Sequence, residues 1–353
     1  MDKSKDSIHL FDTVILILDR TNEDVKKYIE ASLYEGLKVE LFVREDSEKK
    51  ENSDADIEAL VKHKLSECVS RAEGLLVITD DDLAACVLDK KGVAVVGYRA
   101  PGCEYKGFFT KYVVEELPMV EDDYFNLVYM RARHIPVVIA KTERTVIREM
   151  TENDLMAMYE LYADPAVAEW TEPLYEYDEE LEFTRAYIEN MYVFYGYGMW
   201  LVFDRKSGEL IGRVGLSNRE IDGKPCCELG YIIKGDRQRQ GLGYEVGSAV
   251  TEYAFHELGM SRLWLCTEKD NVASIALAKK LGFSLWGSSV CDTGRGEQKE
   301  CHIYKKVRFN LKTGLLRAVA ILRSQLYAQE MLCSSEDLER LRQQRISDSH
   351  FRI

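Results

Sequence analysis

The first 140 residues alternate short apolar runs with stretches of mixed polarity. The run TVILIL at 13–18 is apolar throughout, as expected of a strand buried on both faces. A capping residue at Thr21 or Asn22 and a stop at Gly36 bound the helix that follows. Continued alternation predicts an open α/β, Rossmannoid domain with a parallel sheet over 1–140. The predicted strands are 13–18, 38–43, 75–79, 93–98 and 112–114, and the later helices are 57–72, 83–91 and 122–133.

After a join at 134–137 the pattern changes to longer strands and hairpins. Thr151 is a predicted helix N-cap, with Asp154 in the capping-box position. A turn at 206–208 predicts a β-hairpin. The chain is therefore a predicted two-domain α/β protein whose second, α+β domain covers 141–310. Its predicted strands are 142–149, 199–203, 209–216, 226–233, 263–266, 284–287 and 300–309, with helices after 151, after 243 and over 271–283.

Residues 311–353 form a predicted helical C-terminal extension. Apolar residues recur there at helical spacing, which predicts one apolar stripe. Two interpretations remain open: the stripe packs on its own chain, or it forms a homodimer contact. The stripe consists of Leu315, Val319, Leu322 and Leu326.

Composition and charge limit the partners of the chain. Its net charge of −14 argues against nucleic acid as a general partner, because phosphate binding needs a basic face. Nine cysteines without a C-x-x-C pattern indicate buried thiols in a reducing compartment. Six scattered histidines without H-E-x-x-H predict no metal site. No apolar segment is long enough for a membrane span or a signal peptide, so we expect a cytoplasmic protein without a membrane partner.

A glycine-bearing loop separates the predicted strand 226–233 from an amphipathic helix. It reads Gln238-x-x-Gly241-x-Gly243. Unpaired N–H groups at a helix N-terminus attract phosphate, and glycines let the backbone approach it closely. Two other interpretations are an ordinary turn and a dinucleotide-binding loop, although G-x-G-x-x-G is absent.

The sequences on either side of the loop carry a family resemblance. Glu228-Leu229-Gly230-Tyr231 precedes it, and Asn271-x-x-Ser274 followed by Leu281-Gly282-Phe283 comes after it. This order resembles the GNAT N-acetyltransferases, over about 144–309, and is most similar to their ribosomal-protein-alanine N-acetyltransferase-like branch. The resemblance implies a mixed sheet for 141–310 and acetyl-CoA as co-substrate. It implies cofactor binding by Tyr231, Ile232, Ile233, Gln238, Arg239, Gln240, Gly241, Leu242, Gly243, Tyr244, Asn271 and Ser274.

Direct acetyl transfer needs a base, an oxyanion donor and an acid for the leaving thiolate. The resemblance implies Glu228 as the base, and the alternative is a structural carboxylate. A backbone N–H of the strand at 231–233 is the expected oxyanion donor. Many family members use a tyrosine as the acid, but Ala278 stands at that position here. Ser274 is the substitute and Tyr304 a further candidate, whereas Asn271 either binds the pantetheine or only caps its helix.

The acceptor implied by the resemblance is a primary amine: a protein N-terminus, a polyamine or another small amine. Carboxylates crowd 172–182, where this family builds its acceptor side, and they would attract a cationic amine. The alternative is a solvated helix face. They are Glu172, Glu176, Asp178, Glu179, Glu180 and Glu182.

The first domain resembles a degenerate haloacid-dehalogenase-like phosphatase module. Asp19 matches the second aspartate of that family, but Ile17 occupies the nucleophile position and Arg44 the expected Ser/Thr position. Asp80, Asp81 and Asp82 resemble its metal-binding acids, and an acidic helix cap is the alternative. Missing reactive groups at Ile17 and Ala278 leave a second hypothesis for the whole chain. In it, both domains sense ligands, and the GNAT fold binds acyl-CoA without turnover.

Overall fold

The computed structural model describes residues 9–44, 54–101, 110–221, 223–292 and 298–308, excluding the side chains of 54–61 and 292. The predicted extension 311–353 therefore lies outside the described residues. The chain divides into two compact units, Met1–Val137 and Val138–Ile353.

Unit 1 contains a parallel sheet with the strand order β2-β1-β3-β4-β5. Every residue of β1 is buried, because apolar side chains cover both faces of this central strand. The strands are β1 (Thr13–Leu18), β2 (Lys38–Val43), β3 (Leu75–Thr79), β4 (Ala94–Tyr98) and β5 (Val113–Val114). The helices are α1 (Glu23–Tyr34), α2 (Asp54–Ser70), α3 (Asp82–Asp89) and α4 (Asp122–Ala132).

The local signals of unit 1 are confirmed. Asn22 caps α1 by accepting the N–H of Val25 at 2.9 Å, and Gly36 ends this helix with φ +87°. The predicted Rossmannoid parallel sheet is present. In this order β2 is added on one side of β1, and β3, β4 and β5 are added on the other. Ligands of open α/β sheets bind at the carboxyl ends of the strands beside such a switch point, here between β1 and β3.

Unit 2 contains a mixed sheet with the order β12-β13-β11-β10-β9-β8-β7-β6. Its neighbouring strands are antiparallel except for β10 and β11, which are parallel. The strands are β6 (Val138–Lys141), β7 (Thr145–Arg148), β8 (Met199–Asp204), β9 (Leu210–Ile221), β10 (Lys224–Ile233), β11 (Arg262–Glu268), β12 (Ser284–Asp292) and β13 (Gln298–Val307).

Helices bury one face of this sheet in a single large core. Leu229, Ile233 and Leu265 of the sheet share it with Val246 and Val250 of the helix after the glycine loop. The helices are α5 (Leu155–Tyr162), α6 (Pro165–Ala168), α7 (Tyr177–Tyr187), α8 (Leu242–His256) and α9 (Val272–Lys280), with a π-helix at Ile188–Tyr195 and a 3₁₀ turn at Gly235–Arg237.

One predicted element of unit 2 was wrong. The sequence predicted a single strand over 142–149, but residues 142–144 form a turn between β6 and β7. Thr142 N–H donates to the carbonyl of Thr145 at 2.9 Å and closes this turn. The capping box of Thr151 and Asp154 is confirmed.

Candidate active site

The central strands β10 and β11 diverge. Among the described residues they are paired at one position, Glu228 opposite Trp264, whereas β10 remains paired with β9 as far as Ile233. Lys234 N–H donates to the carbonyl of Ile211 at 2.9 Å. In an antiparallel pair, residues that bond to the partner strand alternate with residues whose N–H and C=O groups point away from it. Because Lys234 bonds to β9, the backbone groups of Tyr231 and Ile233 point away from β9, into the gap beside β11. The gap can accept an extended ligand by backbone hydrogen bonds.

The glycine loop lies directly after this strand. Gln238 Nε2 donates to the carbonyl of Ile233 at 2.9 Å and ties the loop to the strand end. Arg239 and Gly241 both have positive φ, +60° and +82°, and Gly241 is the N-cap of α8 without a side-chain cap. Successive N–H groups in this geometry form a concave anion site at a helix N-terminus.

A second segment holds the loop from the other side. Arg144 donates through Nη1 to the carbonyl of Gln240 at 2.8 Å and through Nε to Glu245 at 2.7 Å. Glu245 also accepts the backbone N–H of Arg144 at 2.9 Å. We call these three residues the loop clasp. No local sequence pattern indicates the loop clasp, because Arg144 and Glu245 are about 100 positions apart and meet only in the folded domain.

Gly243 has a packing role. A Cβ placed there would lie 2.9 Å from Leu277 Cδ2, so glycine lets α8 approach α9 closely. At Gly241, by contrast, the nearest atom to such a Cβ is Arg144 Nη2, at 3.6 Å. Of the two glycines, only Gly241 has room where its Cβ would lie, and a ligand could approach the backbone there.

A chain of polar groups runs from β10 to α9. The hydroxyl oxygen of Tyr231 lies 3.1 Å from Ser274 Oγ, and Ser274 N–H donates to Asn271 Oδ1 at 2.9 Å. Asn271 therefore caps α9, as the structural alternative predicted. Burial raises the pKa of Tyr231 to about 12, and the hydrogen bond with Ser274 opposes this shift. Both hydroxyls are protonated at neutral pH and can donate.

Glu228 lies where the strands separate. Its Oε2 accepts from Arg219 Nη1 at 2.8 Å, and its Oε1 accepts the backbone N–H of Cys266 at 2.8 Å. The residue is 1% exposed. Its carboxylate thus bonds to the β11 backbone just past the single registered pair. These contacts favour the structural alternative for Glu228.

Two other predicted positions belong to the core. Tyr304 on β13 is 2% exposed and packs in the large cluster of unit 2, as does Ala278, which is fully buried. A tyrosine at 278 would have to displace packed neighbours. Ser274, by contrast, is half-buried one turn earlier on the same helix.

The acidic stretch divides by burial. Glu180 is buried and accepts the N–H of Tyr175 at 2.9 Å. Glu172 is half-buried. The exposed carboxylates, which are available to solvent, are Glu176, Asp178, Glu179 and Glu182.

In unit 1, acidic residues meet at the carboxyl ends of β1 and β3. Asp80 accepts the N–H of Asp19 at 2.9 Å, and Arg44 lies 2.9 Å from Asp81 and 3.5 Å from Asp19. Asp81 also caps α3. Burial raises the pKa of Asp80 to about 7, and the nearby charge of Asp19 adds to this shift, while the N–H of Asp19 opposes it. Arg44, at the position where the phosphatase resemblance expects Ser or Thr, thus lies beside two of the acidic residues that this resemblance singled out, Asp19 and Asp81.

Known proteins resemble the second unit. The sequence profile of the GNAT acetyltransferase domain matches residues 144–284. The uncharacterised N-acetyltransferase YoaA of Bacillus subtilis is 30% identical over 152 residues, which is 42% of this chain and 84% of YoaA. The uncharacterised protein YkkB of the same organism is 25% identical over 170 residues, 48% of this chain and 95% of YkkB. A putative ribosomal-protein-serine acetyltransferase from Vibrio cholerae is 22% identical, with a TM-score of 0.41 over 49% of this chain and 98% of that one.

The chain belongs to the GNAT acetyltransferase family. Acetyl-CoA is the cofactor of this family, in agreement with the prediction made from the loop and its flanks. The matches cover less than half of the chain. Within the described residues, we find no helix that combines the length and the apolar character of a membrane span.

Proposed function

We propose that this chain is an acetyl-CoA-dependent N-acetyltransferase that moves the acetyl group directly to a primary amine. The proposal rests on three features that strand β10 and the loop after it combine. They are the gap beside Tyr231, the positive-φ loop at Arg239 and Gly241, and the hydroxyl pair of Tyr231 and Ser274. We assign the activity to 141–310.

Each feature supports one part of binding. The N–H groups at the start of α8 would hold the pyrophosphate, with Arg239 adding charge. The backbone groups of Tyr231 and the N–H of Ile233, which face the gap, would extend the sheet onto the pantetheine arm. Donors fixed in the fold need no reorganisation, so a backbone N–H here would also stabilise the tetrahedral oxyanion.

For the chemical step, we assign protonation of the leaving thiolate to Ser274, which the Tyr231 hydroxyl can resupply with a proton. Glu228 keeps β10 and β11 apart and neutralises Arg219, rather than acting as a direct base. The cationic amine would lose one proton to water before its nitrogen attacks the thioester carbonyl, and a second proton would leave the nitrogen for water as the amide forms. Tyr304 has a packing role in this mechanism.

We propose a cationic amine as the acceptor: a protein N-terminus, a polyamine or another small amine. The exposed carboxylates Glu176, Asp178, Glu179 and Glu182 support it, since they would raise the local amine concentration. The alternative function is a sensor that binds acyl-CoA without turnover, which Ala278 favours because it removes the usual acid of the family.

The test is an amine screen by mass spectrometry, with acetyl-CoA and either spermidine or short peptides with free N-termini. We expect acetylated product from the wild type and at least 10-fold less turnover from Ser274→Ala, with unchanged acetyl-CoA affinity. Ser248→Ala, in α8, is the control. Tight acetyl-CoA binding with no product from any amine would support the sensor instead.

A further inference from the structure

Three cysteines from three strands meet on the sheet face opposite the large core. Cys266 on β11 lies opposite Ile303 on β13, and Cys291 on β12 lies opposite Lys299 on β13. Cys301 stands between those two β13 positions, two residues from each. Because directly opposed residues and residues two apart share a face, all three side chains project to the same side.

The sulfur atoms are spaced for a shared ion. Cys266 and Cys291 Sγ lie 3.4 Å apart, and the three sulfurs all lie within 4.8 Å of one another. Zinc–sulfur bonds of about 2.3 Å in tetrahedral geometry place two sulfurs about 3.8 Å apart. A disulfide requires about 2.05 Å, so Cys266 and Cys291 would have to approach by more than about 1 Å. The observed spacing is closer to that of metal ligands.

A positive charge lies on the same sheet face as the three sulfurs. Arg219 on β9 stands opposite Cys226, two residues from Glu228 on β10, and Glu228 stands opposite Trp264, two residues from Cys266 on β11. Arg219 is itself paired with Glu228 at 2.8 Å. A zinc ion with three thiolates carries a net charge of −1, which an adjacent arginine stabilises.

A fourth cysteine on the same face provides the contrast. Cys226 on β10 lies opposite Arg219, but it is not among the three converging sulfurs. Proximity to Arg219 alone therefore does not place a thiol in this group. The arrangement of Cys266, Cys291 and Cys301 is specific to these three residues.

We propose that Cys266, Cys291 and Cys301 bind one zinc ion, with water as the fourth ligand. Each cysteine that binds does so as a thiolate and releases its proton to solvent, without any redox change. The ion would join β11, β12 and β13 beside the point where β10 and β11 diverge. The site stands on the cysteine geometry and is independent of the proposed transferase activity.

The test is titration of the reduced, metal-free full chain with Zn²⁺ against a chromophoric chelator. Co²⁺ serves as a second probe, because its charge-transfer band reports bound thiolates. We expect one tight Zn²⁺ per chain. Cys291→Ser and Cys301→Ser should each lower the affinity more than about 100-fold, beyond the loss typical of a supporting residue. Cys226→Ser is the matched control and should bind like the wild type.

Circular dichroism of each variant establishes that it is folded, and Cys→Ala variants replace any serine variant that is not. Absence of stoichiometric Zn²⁺ and of a Co²⁺–thiolate band in the wild type would overturn the proposal. Equal Zn²⁺ affinity in Cys291→Ser and Cys226→Ser would also overturn the proposal. A Cys266–Cys291 disulfide recovered by mass spectrometry from protein handled under reducing conditions would replace the metal site with a redox pair.

Discussion

Both carboxylate oxygens of Glu228 are engaged, one by Arg219 and one by the backbone N–H of Cys266. Glu228→Gln keeps an acceptor for the N–H but leaves Arg219 without its charge partner. Hydrogen bonds to charged groups contribute about 1.5–3 kcal/mol, so we expect a loss of about 2 kcal/mol in the free energy of unfolding. We expect turnover to fall less than 10-fold.

Denaturant unfolding and the pH dependence of turnover measure the two effects. Glu252→Gln, which removes an exposed carboxylate paired with His256, is the control and should change neither. If turnover instead falls by about 100-fold or more while stability is unchanged, Glu228 is restored as the base.

The raised pKa of Asp80 predicts that the free energy of unfolding of unit 1 depends on pH. This pKa is about 7 in the folded chain against 3.8 ordinarily, so the folded state favours the protonated carboxyl. The stability it contributes is complete below about pH 4 and is lost as the pH rises through 7. Asp80→Asn stays neutral and keeps an acceptor for Asp19 N–H. It should therefore stabilise β1 and β3 by about 2 kcal/mol at pH 8, and little at pH 4.

Hydrogen exchange of the β1 and β3 amides, variant against wild type at the same pH, measures this difference. Glu73→Gln, an exposed position in unit 1, is the control. Equal protection of Asp80→Asn and wild type at pH 8 would refute the raised pKa.

At the scale of elements, the loop clasp connects the β6–β7 turn with the start of α8. Arg144 holds the carbonyl of Gln240 beside Gly241 and pairs with Glu245. Arg144→Met should let the loop sample other conformations and weaken acetyl-CoA binding about 10-fold, because ordering the loop then opposes binding. Isothermal titration calorimetry measures the affinity.

Arg185→Met is the matched control for the clasp, since Arg185 is also paired with a carboxylate, Glu152, at 2.8 Å on an exposed surface. We expect it to bind acetyl-CoA like the wild type. Equal affinity of Arg144→Met would mean that the loop holds its conformation without the clasp.

The sequence predicted elements well where a local signal exists. Asn22, Gly36 and Thr151 mark helix ends through their own side chains or φ angles, and all three are confirmed. Strand β6 was missed because Val138–Lys141 is only four residues long and directly follows the 134–137 join. Its partner β7 supplies the pairing that stabilises it, and no local pattern encodes that partner.

At the scale of the whole molecule, alternating strand and helix patterns predicted the two-part α/β architecture, and the loop with its flanks predicted the GNAT family. Both are confirmed. The divergence of β10 and β11 could not be predicted, because it appears only in the register between two strands that are far apart in the sequence. Nor could the meeting of Cys266, Cys291 and Cys301, which depends on the register of β11, β12 and β13.

The central claim is that the loop at Gly241 binds the pyrophosphate of acetyl-CoA. The most direct measurement is calorimetric titration of acetyl-CoA into wild type, Gly241→Ala and Gly208→Ala. Gly208 in the β8–β9 turn also has positive φ, +73°, with open space around it, so both variants incur the same backbone strain. Only Gly241→Ala places a methyl group where the anion must approach. We predict binding in wild type and Gly208→Ala, and at least a 10-fold loss in Gly241→Ala; equal affinity in all three would contradict the claim.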